Sequence, residues 1–280
     1  MKLLKGADVA QKINERVSAE ALELAGPLRL AIVRVGERPD DLSYERGVLK
    51  RFAALSLRTI VYALPADISQ ADFAAAFLRV NADPDIHGIL LFRPLPAQLD
   101  EEWAMRAIDP DKDVDGISPV NLAKVFAGDP TGFAPCTAAA VMEMLAWAEV
   151  GLKGREAVVV GRSLVIGKPV SMLLLGEHAT VTVCHSRTQN LPAVCRRADV
   201  LVACVGKAGL IGADHIRPDA VVIDVGINVD TGGRLTGDVN RHAAENAASL
   251  YSPVPGGVGA VTTAVMARHL LRAARRQIKS

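Results

Sequence analysis

The strongest constraint on this chain is the alternation of short apolar runs with stretches of helical period, in two successive series. In the first series, Leu28–Val35 (LRLAIVRV), Arg58–Ala63 and Gly88–Phe92 read as buried strands. Between them lie a helix capped by Asp40 or Asp41 and running to about Leu55, and a second over Gln70–Asn81. The second series places strands at Glu156–Val160, Thr180–Cys184, Val200–Cys204 and Ala220–Val225, with short helical stretches between the first three. Further helices are expected from Ala7 to Ala25, at Leu122–Phe126, from Ala138 to Glu149 behind a Thr137 cap, and over Ala260–Ile278. Strands linked by crossover helices pair in parallel, and a parallel sheet is covered by helices. The expected fold is therefore α/β, in two lobes, each built on a parallel sheet.

Composition removes several classes of function. The 280 residues suit about two domains at ~150 residues each. Lys and Arg total 32 against 31 Asp and Glu, a formal charge of +1, so the broad positive footprint of a nucleic-acid binder is missing. No apolar run approaches the ~20 residues that span a bilayer. The opening residues lack the unbroken apolar stretch and cleavage site of a signal peptide, so a cytoplasmic location and no membrane partner are expected. The cysteines at 136, 184, 195 and 204 form no C-x-x-C pair and the histidines are scattered, so no metal is expected. Cys184 and Cys204 lie in strand-like runs and are expected to be buried as small hydrophobes.

Chemistry gathers at the strand ends of the second series. In VVVGRSLVIGKPV (158–170) an apolar strand runs into Gly161, and Gly167 and Pro169 follow as a helix begins. Small residues there let backbone N–H groups approach a pyrophosphate at the helix N-terminus. The spacing is not G-x-G-x-x-G, so the general dinucleotide fingerprint is absent. The next strand ends in CHSRT (184–188), where a doubly wound sheet meets the adenosine ribose. An acidic residue there favours NAD. Ser186 and Arg187, with Arg162 on the preceding turn, suit a 2′-phosphate instead, and NADP is expected over NAD. The turns VGKAG (205–209), DVGIN (224–228) and SPVPGGVGAVTT (252–263) follow later strands in the same way.

Taken in order with Ser43-Tyr44, HGILLFRPLP (87–96), PDKDVDG (110–116), APCT (134–137) and GDV (237–239), these blocks resemble the FolD family. Its members are methylenetetrahydrofolate dehydrogenase/cyclohydrolases, and the resemblance covers essentially the whole chain. It implies a folate lobe formed by residues 1–120 with 260–280, an NAD(P)-binding Rossmann-like lobe over 121–259, and a cleft between them. It also implies tetrahydrofolate as substrate carrier and, commonly, a homodimer. Tyr44 and Asp115 take the catalytic and substrate-binding places in the family pattern, and Pro255, Gly256 and Gly257 the folate side of the later turn. The cofactor contacts fall on Gly161, Arg162, Ser163, Gly167, Pro169, Ser186, Arg187, Thr188, Val205, Gly206 and Ile227.

Two positions depart from the family pattern. A Lys central to the cyclohydrolase step stands four residues after the family Tyr, and here that position is Val48. The Gln that hydrogen-bonds this Lys is replaced by Phe92. Lys50 falls ~240° around the helix from Tyr44 and should face away. Arg93 neighbours Phe92 on a strand and would enter the site only if the chain bends before Pro94. The expectation is an NADP-dependent dehydrogenase with weak or absent cyclohydrolase activity. The alternatives are a fully bifunctional enzyme using Arg93, a dehydrogenase for an altered one-carbon carrier, and a non-catalytic folate- or nucleotide-binding relative.

Overall fold

The computed structural model describes residues 1–24, 26–230 and 232–279. Ala25, where the opening helix was expected to end, lies outside them. The first half runs β1 (Lys2–Leu3), α1 (Gly6–Ala21), β2 (Arg29–Val35), α2 (Pro39–Ala54), β3 (Arg58–Leu64), α3 (Gln70–Ala82), β4 (Gly88–Leu91), α4 (Glu101–Ala107) and α5 (Pro119–Ala127). The second runs α6 (Cys136–Trp147), β5 (Glu156–Val160), α7 (Gly167–Gly176), β6 (Thr180–Cys184), α8 (Leu191–Cys195), β7 (Val200–Ala203) and β8 (Val221–Asp224). It closes with the hairpin β9 (Asn228–Val229) and β10 (Leu235–Thr236), then α9 (Arg241–Ala247), β11 (Leu250–Ser252) and α10 (Gly259–Lys279).

The chain forms two compact units. One comprises Lys12–Lys124, Pro130–Cys136 and Thr263–Ser280. Its sheet has the order β3-β2-β4, all parallel. Ile89 also bridges Asp113, and the Ile89 N–H donates to the Lys112 carbonyl at 2.7 Å, so the DVDG segment extends the sheet beyond β4. The core under this sheet includes Ala31, Val33, Phe73, Phe77, Ile89 and Leu91. Trp103 packs edge-on against Phe73 and Phe77, as a packing residue.

The other unit comprises Met1–Gln11, Val125–Asp129 and Thr137–Thr262. Its six-stranded sheet has the order β1-β11-β8-β7-β5-β6, again parallel throughout. The order reverses between β5 and β7, the switch point at which open α/β sheets bind ligands. Met1–Gln11 belong here, rather than with the first half as the grouping of 1–120 assumed, because β1 pairs with β11. Strands of two or three residues are too short to show alternation, which is why β1, β9, β10 and β11 leave no clear mark in the sequence.

Two expected caps are not used. The N-cap of α2 is Arg38, with Pro39 opening the helix and Asp40 and Asp41 inside its first turn. A proline there needs no N–H partner and is preset for the helix, so it moves the start ahead of both aspartates. Helix α6 likewise starts at Cys136, which leaves Thr137 within its first turn. Cys184 and Cys204 are buried as expected.

Candidate active site

In the three-stranded unit the site residues come from α2, the end of β4 and the DVDG loop. Arg34 on β2 pairs with Glu45 at 2.8 Å, both side chains nearly buried, and this fixes the rotation of α2. Val48 and Phe52 then point into the core at 0% exposure, while Lys50 faces solvent, as the helical period requires. Tyr44 shares the face of Val48. Its ring lies 5.5 Å from that of Phe92, which is itself only 5% exposed. The wall beside Tyr44 is thus an aromatic and aliphatic surface.

Asp115 is positioned from several sides. Gly116 has φ +67, and a Cβ there would lie 2.4 Å from the Phe133 carbonyl oxygen, so only glycine lets the loop press against 133–135. Buried Asp113 accepts from the Ile117 and Ser118 N–H groups at 2.9 and 2.8 Å and from the Asn121 amide at 2.8 Å. It is a structural anchor, two residues before the half-buried Asp115. The Val114 carbonyl accepts from the Cys136 thiol at 3.2 Å and from His269 Nδ1 at 2.9 Å. A carbonyl only accepts, so Nδ1 carries a proton. Burial pushes the His269 pKa down to about 3 against the opposing bond to Val114, and Arg272, Arg268 and Arg276 push the same way as burial, so the imidazole is neutral.

Burial lifts the Asp115 carboxyl to about 6, and Asp113 adds to the rise; Arg93 and hydrogen bonds from Cys136 oppose it. Tyr44 keeps 40% of its surface exposed. Its phenol is nonetheless raised well above the ordinary value, first by burial and then by Asp115 and Cys136, so its hydroxyl end lies inward near both groups. Arg93 does not run free along the strand. Its Nη1 sits 3.5 Å from Glu101 Oε1, and Glu101 Oε2 accepts the Leu95 N–H at 2.8 Å, so this carboxylate holds the whole Arg93–Leu95 turn. The arginine still acts on Asp115 electrostatically.

In the six-stranded unit, the remaining expected residues collect along one edge, because they follow the carboxyl ends of parallel strands. Gly161, Arg162 and Ser163 follow β5, with Gly167 and Pro169 opening α7; Ser186, Arg187 and Thr188 follow β6. Val205 and Gly206 follow β7, Ile227 follows β8, and Pro255, Gly256 and Gly257 follow β11. Gly161 has φ +140, and a Cβ on Gly167 would lie 2.3 Å from the Gly161 carbonyl oxygen. The strand therefore turns directly onto the helix start, with Ser163 Oγ accepting the Ile166 N–H at 3.1 Å. Thr188 Oγ1 accepts the His185 N–H at 2.9 Å, which shapes the turn carrying the exposed Ser186 and Arg187. Arg162 is also exposed, and neither arginine forms an ion pair among the described residues.

Residues 4–115 match the model of the tetrahydrofolate dehydrogenase/cyclohydrolase catalytic domain, and residues 135–278 that of the same family's NAD(P)-binding domain. The chain belongs to the tetrahydrofolate dehydrogenase/cyclohydrolase family. It is 50% identical to the bifunctional protein FolD of Alkaliphilus oremlandii, over 98% of each chain. It is also 50% identical to that of Clostridioides difficile, over 98% of this chain and 97% of the relative. Among solved structures, the bifunctional FolD enzyme of Campylobacter jejuni superposes with a TM-score of 0.95 at 33% identity, covering 99% of both chains. The Trypanosoma brucei FolD enzyme, complexed with NADP and an inhibitor, gives 0.93 at 34% identity, covering 99% of this chain and 98% of that one.

Sequence reasoning passed over several members of these constellations. Asp113, Asp224 and Asp238 sit inside the quoted blocks DVDG, DVGIN and GDV and were legible as neighbours of the motif residues. His269 and Glu101 carry no signal, since a single His or Glu within a helical pattern is ordinary.

Proposed function

We propose that this family member oxidises 5,10-methylenetetrahydrofolate to 5,10-methenyltetrahydrofolate with NADP⁺, and that its cyclohydrolase step is weak or absent. NADP⁺ fits the six-stranded unit on three grounds. The Gly161–Gly167 approach leaves backbone at a helix start free of side chains, Arg162 and Arg187 offer unpaired cations beside Ser186, and no carboxylate follows β6 within CHSRT. When bound, NADP⁺ supplies the acceptor for a hydride from the one-carbon bridge, which leaves a nitrogen-stabilised cation on the folate. Asp115 accepts from the pterin N–H groups and anchors the ring, and Tyr44 packs against it. This step asks for orientation and a complementary charge, which these residues supply.

Hydrolysis of the methenyl product asks for more, namely an activated water and proton transfers worth about 10²–10⁴-fold. The observation that carries the proposal is that Val48 is fully buried and Phe92 packs against Tyr44 in a tilted ring contact, where the family pattern has Lys and Gln. Neither side chain moves a proton. A second reading, a bifunctional enzyme, is favoured by the electrostatic reach of Arg93 to Asp115 and by the bifunctional names of the relatives. A guanidinium stays protonated near neutral pH and orients water without shuttling protons.

The test gives the purified protein 5,10-methylenetetrahydrofolate and NADP⁺, and follows NADPH, methenyl- and 10-formyltetrahydrofolate separately. NADPH forming while methenyl accumulates at the spontaneous hydrolysis rate is the expected result. Val48→Lys combined with Phe92→Gln should raise methenyl loss by about 10²-fold or more. Wild-type hydrolysis far above background, abolished by Arg93→Met, would establish the bifunctional reading instead.

A further inference from the structure

The turn after β7 presents three consecutive backbone N–H groups, at Val205, Gly206 and Lys207. Such a concave run of donors is an anion-binding nest in many nucleotide proteins. Here all three are taken. The Asp238 carboxylate accepts from Val205 and Gly206 through Oδ2 at 2.6 and 2.9 Å, and from Lys207 through Oδ1 at 2.7 Å. Oδ1 also accepts from the Asn228 amide at 2.9 Å. Asp238 is fully buried, so these bonds are not shared with bulk solvent.

The carboxylate is itself held from behind. Asp224, at the end of β8 and also fully buried, accepts the Asp238 N–H at 2.9 Å and the Val239 N–H at 3.0 Å. Gly226 and Gly237 allow this packing. A Cβ on Gly226 would fall 2.2 Å from the Asp238 carboxyl carbon, and one on Gly237 would fall 1.8 Å from Asp224 Oδ2. The two carboxylates thus connect the ends of β7 and β8 and the segment after β10 into one rigid edge, the edge that also carries the Gly161 turn.

We propose that Asp238 is a positioning residue for the nucleotide cofactor: an internal anion that fills the nest after β7, holds Val205–Lys207 in their binding conformation, and leaves the cofactor's phosphates to the Gly161–Gly167 turn alone. This rests on the NADP reading above. The turn after β7 meets its ligand through carbonyl oxygens and side chains, because its N–H groups are already occupied. Truncation of the carboxylate both loosens the turn and exposes a competing anion site. Asp238→Asn keeps the size but turns an N–H₂ group towards N–H donors, so it satisfies only part of the nest.

Hydrogen exchange on the cofactor-free protein reads the cradle directly. The Val205, Gly206 and Lys207 amides should exchange slowly in the wild type, and at least about tenfold faster in Asp238→Ala, with Asp238→Asn between them. In titrations followed by fluorescence, the NADP⁺ Kd should rise by about tenfold or more in Asp238→Ala, while the KM for the folate substrate moves less than about twofold. Inorganic phosphate should slow these amides in Asp238→Ala and leave the wild type unchanged.

Fast exchange of the three amides in the wild type overturns the proposal, and needs no variant to fold. Unchanged NADP⁺ affinity in a folded Asp238→Ala protein also overturns it. Protected amides in a wild type that binds no NADP⁺ would instead overturn the cofactor reading, leaving Asp238 as a brace of the turn.

Discussion

Replacing His269 with Gln tests whether the neutral imidazole on α10 couples the loop that carries Asp115 to pH. The pKa of His269 is about 3 in the folded chain against 6.5 for the free side chain. A group whose folded pKa is depressed contributes stability that is full above the unfolded value and is lost as pH falls. At pH 5 the unfolded chain holds a proton that the folded chain does not, a loss of about 2 kcal/mol relative to pH 8, growing towards roughly 5 kcal/mol near pH 3. The Val114 carbonyl favours the protonated ring but is outweighed by burial, and the other groups around the ring do not add to it. Arg268, Arg272 and Arg276 oppose its protonation, and the Cys136 thiol, 3.7 Å from Nδ1, has a pKa raised well above the ordinary value and stays neutral.

Asp115 and Asp224 act in the opposite sense. Both are lifted from 3.8 to about 6, chiefly by burial, so their contribution is complete below 3.8 and is lost as pH rises through 6. Between pH 8 and pH 5 each restores about 1 kcal/mol, enough to mask the histidine in the wild type alone. The comparison with His269→Gln removes that common part. Glutamine keeps an N–H donor for the Val114 carbonyl and does not titrate. Denaturant unfolding at pH 5 and pH 8 should show the wild type losing about 2 kcal/mol more than the variant. Parallel pH dependences for the two proteins would refute the buried, unprotonated imidazole.

Two further outcomes follow from the same geometry. With Asp115 at about 6, kcat/KM for the folate substrate should fall below pH 6. Arg93→Met removes a charge that lowers this pKa, so the acidic limb should move to higher pH; an unmoved limb would place the titration elsewhere. Gly167→Ala would set a Cβ 2.3 Å from the Gly161 carbonyl oxygen, backbone against backbone. It should cost about 1–3 kcal/mol in thermal or denaturant unfolding and weaken NADP⁺ binding. Full stability with unchanged affinity would show that the turn relaxes.

The sequence by itself determined the layers. Continuous apolar strands such as Leu30–Val33 and Val158–Val160 need cover on both faces, so period and spacing alone fix α/β layering. It also determined which residues lie on the ligand edge, because in a parallel sheet every turn that follows a strand's carboxyl end falls on the same side. Helical period was enough to separate Val48 from Lys50. Local signals were weaker at the helix starts, where Pro39 displaced both aspartate caps of α2.

Tertiary structure decided what no local pattern could carry. Strand order depends on long-range pairing, so the place of β1 beside β11, 248 positions along the chain (Lys2 with Leu250), has no signature in either segment. The same is true of the groups that set ionisation. Asp113 and Asp115 are two residues apart in one motif, yet one accepts three hydrogen bonds as an anchor while the other is left with a raised pKa. What raises the Asp115 pKa is its burial, with the nearby Asp113 charge, and burial of that kind exists only once the chain has packed.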